Sequence, residues 1–383
     1  MATLQDEVII NGMRLRNRIA MPPLTTNYGT LEGIVTENTI QFYADRSNDV
    51  GLVIVESTAV RDDGRIVPGS LGLWQDGQIP GMARLAAAIK KSGAAAVVQL
   101  NHAGARCHPA GGEMQGASPS GFMFKPDVAP ISLSPEQIEQ VSADFAAAAG
   151  RAAEAGFDGV EIHGAHFYLI SEFLSPLTNQ RNDRYGGDAR ARATFALEVV
   201  RSVRDRLGKS YPILFRLNAL EKVEGGQTLE DALVVSKLLA DEGVDGLDVS
   251  LIANTSWKEV DDRRILVASS AFPKDQPAGG NVQPTAAIKE AAGLPVIAVG
   301  KLGEGDLAAE SVRDLPIDIV AIGRQMIADP DAAGKILAGK HEEIVRCDEC
   351  MTCYATIGKG KPMGCKVNLN LPGSRRHKSQ ESA

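Results

Sequence analysis

The sequence predicts a single eight-stranded β/α barrel, an α/β TIM barrel with a short cysteine-containing C-terminal extension. Three observations carry that prediction. Eight short apolar segments rich in Val and Ile recur along the chain. Alanine-rich segments with apolar residues at helical spacing separate them, and several end at glycine, a common helix stop. No Gly-x-Gly-x-x-Gly follows the first segment, which weakens the rival open doubly wound sheet. Strands alternating with helices imply a parallel sheet with helical crossovers, and eight such units favour closure. The 383 residues are 44% hydrophobic and 23% charged, ample material for one large core.

The strands are expected at RIAMPP (18–23), GLVIVES (51–57), AAVVQLNH (95–102), DGVEIHGA (158–165), PILFRLN (212–218), DGLDVSL (245–251), PVIAVGK (295–301) and IDIVAIGR (317–324). PGMARLAAAIKKSG and LEDALVVSKLLADEG are two of the helical segments between them. Two stretches break the rhythm. Residues 103–133 and 252–283 are long, rich in Gly, Pro and Ser, and read as loops on the exit side of strands three and six. Such loops usually shape a barrel's active site. From about residue 340 no strand–helix unit follows. Two parts are therefore expected: a barrel over 1–340, and over 341–383 a cysteine-bearing extension with a disordered polar tail. The basic run Arg375-Arg376-His377-Lys378 reads as part of that solvated end.

Charge and cysteine usage exclude several classes. The net charge is −8 with no basic stripe, which argues against nucleic acid as a partner. The N-terminus lacks a basic start followed by a long apolar stretch, so no secretory signal is expected. No apolar run approaches the ~20 residues of a membrane span. Cys107 stands alone while Cys347, Cys350, Cys353 and Cys365 crowd together late in the chain. That clustering argues against a disulfide framework and for a reducing, cytoplasmic setting with a metal or cluster site. The oligomeric state, monomer or homo-oligomer, is left open.

Catalytic groups of barrels come from the C-terminal ends of several strands. Here those ends carry Pro22, Pro23 and Thr25; Glu56 and Ser57; Gln99 and His102; His163 and His166; Arg216; Ser250; Gly300 and Lys301; Gly323 and Arg324. The last two pairs suit phosphate, since glycine lets backbone N–H groups approach and Arg adds a bidentate clamp. Taken singly, each glycine would be explained by a tight turn.

These residues resemble the Old Yellow Enzyme family of FMN-dependent ene-reductases, in the branch containing 2,4-dienoyl-CoA reductase and trimethylamine dehydrogenase. The resemblance runs from about residue 8 to residue 368. It is carried by IINGMRLRNRIAMPPLTTN, QLNHAG, EIHGAHFYLISEFLSPLTNQRNDRYGG, AVGKLG and AIGRQMIADP. It implies FMN as cofactor and NADH or NADPH as reductant. By matching position, Pro23 and Thr25 lie beside the flavin pyrimidine edge. Ser57 and Gln99 bond the ring, and Arg216 is the cation near flavin N1 and O2. Gly300, Lys301, Gly323 and Arg324 cradle the phosphate. His163 and His166 receive the carbonyl oxygen of a small-molecule substrate, and Tyr168 donates the proton. Tyr185, Arg181 and Asp183 read as structural. Phe167 stands where the family frequently has Gly, a change able to narrow the pocket or redirect Tyr168. Ala105 interrupts the common His-Ala-Gly-Arg string, so Arg106 arrives one residue late.

The tail spacing Cys347-x2-Cys350-x2-Cys353, with Cys365 beyond, supplies the four thiolates an iron–sulfur cluster needs. It resembles the dienoyl-CoA reductase branch, one residue short between the second and third cysteines. A [4Fe–4S] cluster, zinc on the same ligands and free thiols all stay open. Larger family members continue into domains that bind FAD and a nicotinamide. On that resemblance, a cluster here would draw electrons from a separate protein partner; without one, NAD(P)H would reduce FMN directly. The expected activity is reduction of activated C=C bonds. The alternatives are an amine or N-methyl dehydrogenase, which would favour an aromatic cage with acidic residues, and an FMN electron-transfer module. A flavin-free aldolase would need a Schiff-base lysine, for which Lys301 is the one strand-end candidate.

Overall fold

The computed structural model describes residues 1–108, 115–117, 122–125, 130–303 and 305–374. All eight expected strands are present: β1 (Ile19–Met21), β2 (Leu52–Ala59), β3 (Ala95–Asn101), β4 (Gly159–Gly164), β5 (Ile213–Glu221), β6 (Gly246–Ile252), β7 (Val296–Ala298) and β8 (Ile319–Ala321). Each pairs in parallel with the strands before and after it. The sheet closes where Val320 and Ala321 of β8 pair with Ile19 and Ala20 of β1. Helices α1 (Glu37–Ala44), α2 (Ile79–Lys90), α3 (Pro135–Glu154), α4 (Thr194–Leu207), α5 (Leu229–Asp241), α6 (Val282–Ala292) and α7 (Gly305–Asp314) alternate with the strands.

Local chemistry sets the helix ends. Ser134 and Gln137 close a capping box at the start of α3, with Pro135 at its first position. Thr228 and Asp231 do the same for α5. Gly208 and Gly293 stop α4 and α6 at positive φ, 78° and 70°, where a side chain would be strained.

Alternation along each strand divides the core in two. Val53, Val55, Val98, Val160, Ile162 and Phe215 pack outward against the helices. Ile54, Val97, Leu214, Ile297 and Ile319 fill the lower barrel together with Val8, Ile10, Met13 and Leu15. The last four come from an antiparallel hairpin, Val8–Ile10 with Met13–Leu15. Its turn is Asn11-Gly12, both at positive φ, a sequence signal for a two-residue hairpin. Fully burying one such side chain as Ile10 stabilises by about 1.5–3 kcal/mol. Above this apolar floor the next inward positions are polar: Gln99, Glu161, Arg216 and Asp248, all buried.

One sequence expectation needs correction, and one segment carries structure that the sequence did not show. The stretch 252–283 is not simply a loop: Asn254–Val260 and Arg263–Ser269 form an antiparallel hairpin. Its turn residues Asp261 and Asp262 both take positive φ. The first of these strands is exposed almost throughout, so no apolar alternation marked it. The C-terminal segment is likewise no featureless tail. It forms a helix at Thr352–Gly358 and returns to the barrel, where Met363 and Leu371 are buried. Tyr28 Oη donates to the Met363 carbonyl at 2.7 Å. The basic run Arg375–Lys378, and with it the expected disordered tail, lies outside the described residues, as does part of 103–133. Among the described residues, no helix is long and apolar enough to cross a membrane.

Candidate active site

A cavity of about 1600 Å³ opens at the C-terminal ends of the strands. Its wall includes every residue expected around the flavin: Pro23, Thr25, Ser57, Gln99, Arg216, Gly300, Lys301, Gly323 and Arg324. His163, His166 and Tyr168 line the same space. The register of β2 against β3 shifts between Val55 and Thr58, a local irregularity of the kind that re-aims side chains near active sites. It accompanies Ser57 in the cavity wall beside buried Glu56. Glu56 holds the β1 exit by accepting from Thr26 N–H at 2.8 Å and from Thr26 Oγ1. Burial pushes the Glu56 carboxyl up to about 7.

The strand β4 exit bends sharply. His166 and Phe167 both adopt left-handed backbone conformations, φ 66° and 55°, uncommon for such side chains. The bend sends them in different directions. Phe167 is fully buried among Phe122, Ile252 and Leu266, while Tyr168 lines the cavity. The bulk at position 167 therefore fills a satellite core and leaves Tyr168 facing the site. Arg106 braces the bend: its Nη1 donates to the His166 carbonyl at 2.6 Å, and its guanidinium lies 5.3 Å from the Tyr168 ring centroid.

The two histidine rings stand edge to face, 5.0 Å apart, and His163 is 5.1 Å from Tyr168. His163 Nδ1 accepts the Ala165 N–H at 3.3 Å, which puts the proton of the neutral ring on Nε2. His166 Nε2 meets Ser250 Oγ at 2.7 Å. Burial, then the positive charge of Arg216, pushes both imidazoles well below their ordinary pKa. Both are therefore neutral at pH 7. Burial raises the Tyr168 phenol, an effect that Arg106 and Arg216 oppose, so it keeps its proton.

Beneath them Gln99 Nε2 donates to Glu161 Oε1 at 2.7 Å. Arg216 Nε lies 3.4 Å from Asp248 Oδ2. Reasoning from strand ends missed Glu161 and Asp248, which sit inside β4 and β6. The available signal was a carboxylate at an inward position of an otherwise apolar strand. Arg106 and Ser250 are further wall residues that were not assigned to the site.

The two glycine turns lie opposite. Gly300 has φ 129°, and a Cβ there would meet the Phe272 ring at 3.1 Å. Lys301 Nζ pairs with Glu349 at 2.8 Å and donates to the Gln276 carbonyl at 2.9 Å. Arg324 Nη2 donates to the Phe272 carbonyl at 3.0 Å, and Nη1 reaches Met351 Sδ at 3.4 Å. The cysteine segment thus packs across both turns. Its expected four-thiol set is not assembled. Cys347 and Cys353 reach the cavity wall, Cys365 is buried, and Cys350 is exposed with its Sγ 3.1 Å from Thr352 Oγ1. Glu349 and Met351, on either side of Cys350, are both left-handed and tied to the turns, and Cys350 between them is exposed. Among the described residues, no three His, Cys, Asp or Glu side chains are grouped as metal ligands, so the thiols as placed do not fit a cluster or zinc.

His102 is not in the cavity. It is buried, accepts the Gly104 N–H at 3.1 Å and lies 3.6 Å from Asp63. Arg181 pairs with Asp183 at 2.6 Å and donates to the Leu133 carbonyl at 2.8 Å. Tyr185 is buried beneath that loop.

A cation, an amide, a hydroxyl and two glycine turns around one cavity form a donor set that suits a flavin ring and its phosphate. Comparison with known proteins agrees. The model of the NADH:flavin oxidoreductase / NADH oxidase family matches residues 8–343. A metal reductase of Desulforamulus reducens is 37% identical over 371 residues, 96% of this chain and 54% of that protein. An NADPH dehydrogenase of Listeria monocytogenes is 36% identical over 332 residues, 86% of this chain and 93% of that protein. The solved structure of a 2-naphthoyl-CoA reductase with 2-naphthoyl-CoA superposes with a TM-score of 0.88 at 26% identity, over 96% of this chain and 57% of that one. The chain therefore spans about half the length of some relatives and nearly all of others. With the family model covering the barrel from end to end, the chain belongs to the NADH:flavin oxidoreductase / NADH oxidase family.

Proposed function

We propose that the protein is an FMN-dependent, NAD(P)H-driven reductase of activated C=C bonds. The observation that carries this reading is the convergence of two neutral histidines and a protonated tyrosine on the wall that also holds Arg216 and Gln99. Bound FMN would accept hydride from the nicotinamide and return it through N5 to the β-carbon of an α,β-unsaturated carbonyl.

The residues of the chain then have separate tasks. Arg216 offers a fixed positive charge where the flavin pyrimidine edge would lie, and Gln99 and Ser57 offer hydrogen bonds to the ring. Gly300 and Gly323 leave backbone N–H groups approachable by the phosphate. His163 presents its Nε2–H to the substrate carbonyl. Ser250 engages His166 Nε2, leaving Nδ1 for the same oxygen. Two neutral donors polarise a carbonyl without carrying a charge that would favour an anionic ground state. Tyr168 gives its proton to the α-carbon as the enolate forms, and Arg106 over its ring eases that loss. An amine-oxidising site would favour an aromatic cage with acidic residues; the histidine pair, with Ser250 on His166, supports reduction instead.

The test is an anaerobic absorption spectrum of protein loaded with FMN. Flavin bands that bleach with NADH or NADPH and return with 2-cyclohexenone support the proposal. Bands that bleach and do not return with any enone leave an electron-transfer module as the better reading.

A further inference from the structure

We infer that Glu161 is held as a neutral carboxylic acid in a buried chain, Gln99–Glu161–Asp248–Arg216, which makes Glu161 and Asp248 positioning residues for the two groups that face the flavin edge. The inference rests on the flavin reading for its purpose, but not for its geometry.

The geometry is a problem of unmatched acceptors. Glu161 and Asp248 are both fully buried. Gln99 supplies one N–H to Glu161 Oε1. Among the described residues, Glu161 Oε2 and both Asp248 oxygens have no hydrogen-bond donor, and Arg216 Nε has no acceptor. At 3.4 Å the Arg216–Asp248 contact is an ion pair rather than a strong hydrogen bond. Two carboxylates and one guanidinium would leave a net negative charge and three orphan acceptors inside the barrel, which is costly. One proton removes the conflict. Placed on Glu161 Oε2, it turns an orphan acceptor into a donor toward Asp248 and leaves Asp248⁻ to face Arg216⁺.

The surroundings decide which carboxyl carries it. Asp248 pairs with the Arg216 cation, while Glu161 accepts from the neutral Gln99 amide. One inward step above stand His163 on β4 and Ser250 on β6, neither of them charged. One inward step below stand Val97, Leu214 and Gly246. Burial raises both carboxyls; Asp248 adds to the rise at Glu161, and Arg216 opposes it at both.

Two consequences follow for the site. Gln99 Nε2 is committed to Glu161, so Gln99 presents its Oε1 to the cavity, an acceptor suited to the imide N–H of a flavin. Arg216 is partly neutralised by Asp248, which tempers the positive field at the pyrimidine edge.

The test uses the full chain with and without FMN. The infrared difference spectrum at pH 7 between the unmodified protein and Glu161→Gln is expected to show one lost carbonyl band of a buried protonated carboxyl, separate from those of Glu56, Glu172 and Glu221. The midpoint potential of bound FMN is expected to stay near that of the unmodified protein in Glu161→Gln, whose amide N–H replaces the lost O–H. In Asp248→Asn it is expected to rise, because Arg216 loses its counter-charge and a negative reduced ring is stabilised. Absence of the band in the unmodified protein, its survival in Glu161→Gln, or equal potential shifts in the two variants would overturn the inference. If the protein takes up no FMN, the functional proposal fails, while the infrared measurement on the flavin-free chain still decides the proton.

Discussion

His166 Nε2 and Ser250 Oγ lie 2.7 Å apart, joining the exits of β4 and β6 across the mouth of the barrel. The contact fixes the His166 ring, whose backbone is already held in a left-handed bend. Removing the hydroxyl by Ser250→Ala frees the ring to rotate away from the substrate oxygen. A lost hydrogen bond of about 1.4 kcal/mol corresponds to about tenfold. Steady-state kinetics with an enone should show kcat/KM about tenfold lower, with FMN content and the rate of reduction by NAD(P)H unchanged.

Tyr168 is assigned the proton transfer alone, so Tyr168→Phe should separate the two half-reactions. Stopped-flow reoxidation of the reduced protein by an enone should slow by about 10²–10⁴, the usual contribution of a positioned acid. Reduction by NAD(P)H should be unaffected. Equal slowing of both would remove Tyr168 from its role.

His163 is buried, His166 half-buried, and both are held neutral. The enone kcat/KM should therefore be flat through the ordinary histidine range near 6.5, and an acid limb centred there would contradict neutral donors. The same depression sets a stability trend. The unfolded chain protonates its histidines below 6.5 while the folded chain resists. The contribution is thus complete above that value and lost as pH falls from there toward the depressed folded pKa. Thermal melts of His163→Gln should lose less stability than the unmodified protein over that acid range.

Gly300 sits at φ 129° with the Phe272 ring 3.1 Å from where a Cβ would stand. Gly300→Ala should cost about 1–3 kcal/mol from backbone strain and loosen the phosphate turn. Thermal denaturation of the flavin-free protein reads the first effect, and an FMN binding isotherm the second.

The strands were legible because β-branched apolar runs such as GLVIVES and DGVEIHGA alternate with helical spacing, and burial on both faces makes such runs continuous. The hairpin at 254–269 was not, since exposed strands such as NTSWKEV need no apolar alternation. The hairpin under the barrel was not expected either, although Asn11-Gly12 carries the turn chemistry of one. Within the cavity wall, His163, His166 and Arg216 could be read as polar groups at strand exits, and Tyr168 through the family resemblance alone. Glu161 and Asp248 could not, because they lie within their strands, two residues before His163 and Ser250, where the sequence shows only a carboxylate inside an apolar run. The tail was legible as a cysteine spacing, but the turn at Glu349–Met351, and with it the outward placement of Cys350, depends on contacts with Lys301 and Arg324 some 25–50 residues away in sequence.

The central claim is that this barrel moves hydride through FMN to an activated C=C bond. It is tested most directly by a single turnover without oxygen: protein reduced with one equivalent of NADH or NADPH, then mixed with 2-cyclohexenone, with the product identified by mass. The account predicts return of the flavin bands and one cyclohexanone formed per flavin. A protein that neither binds FMN nor forms the saturated ketone would contradict it.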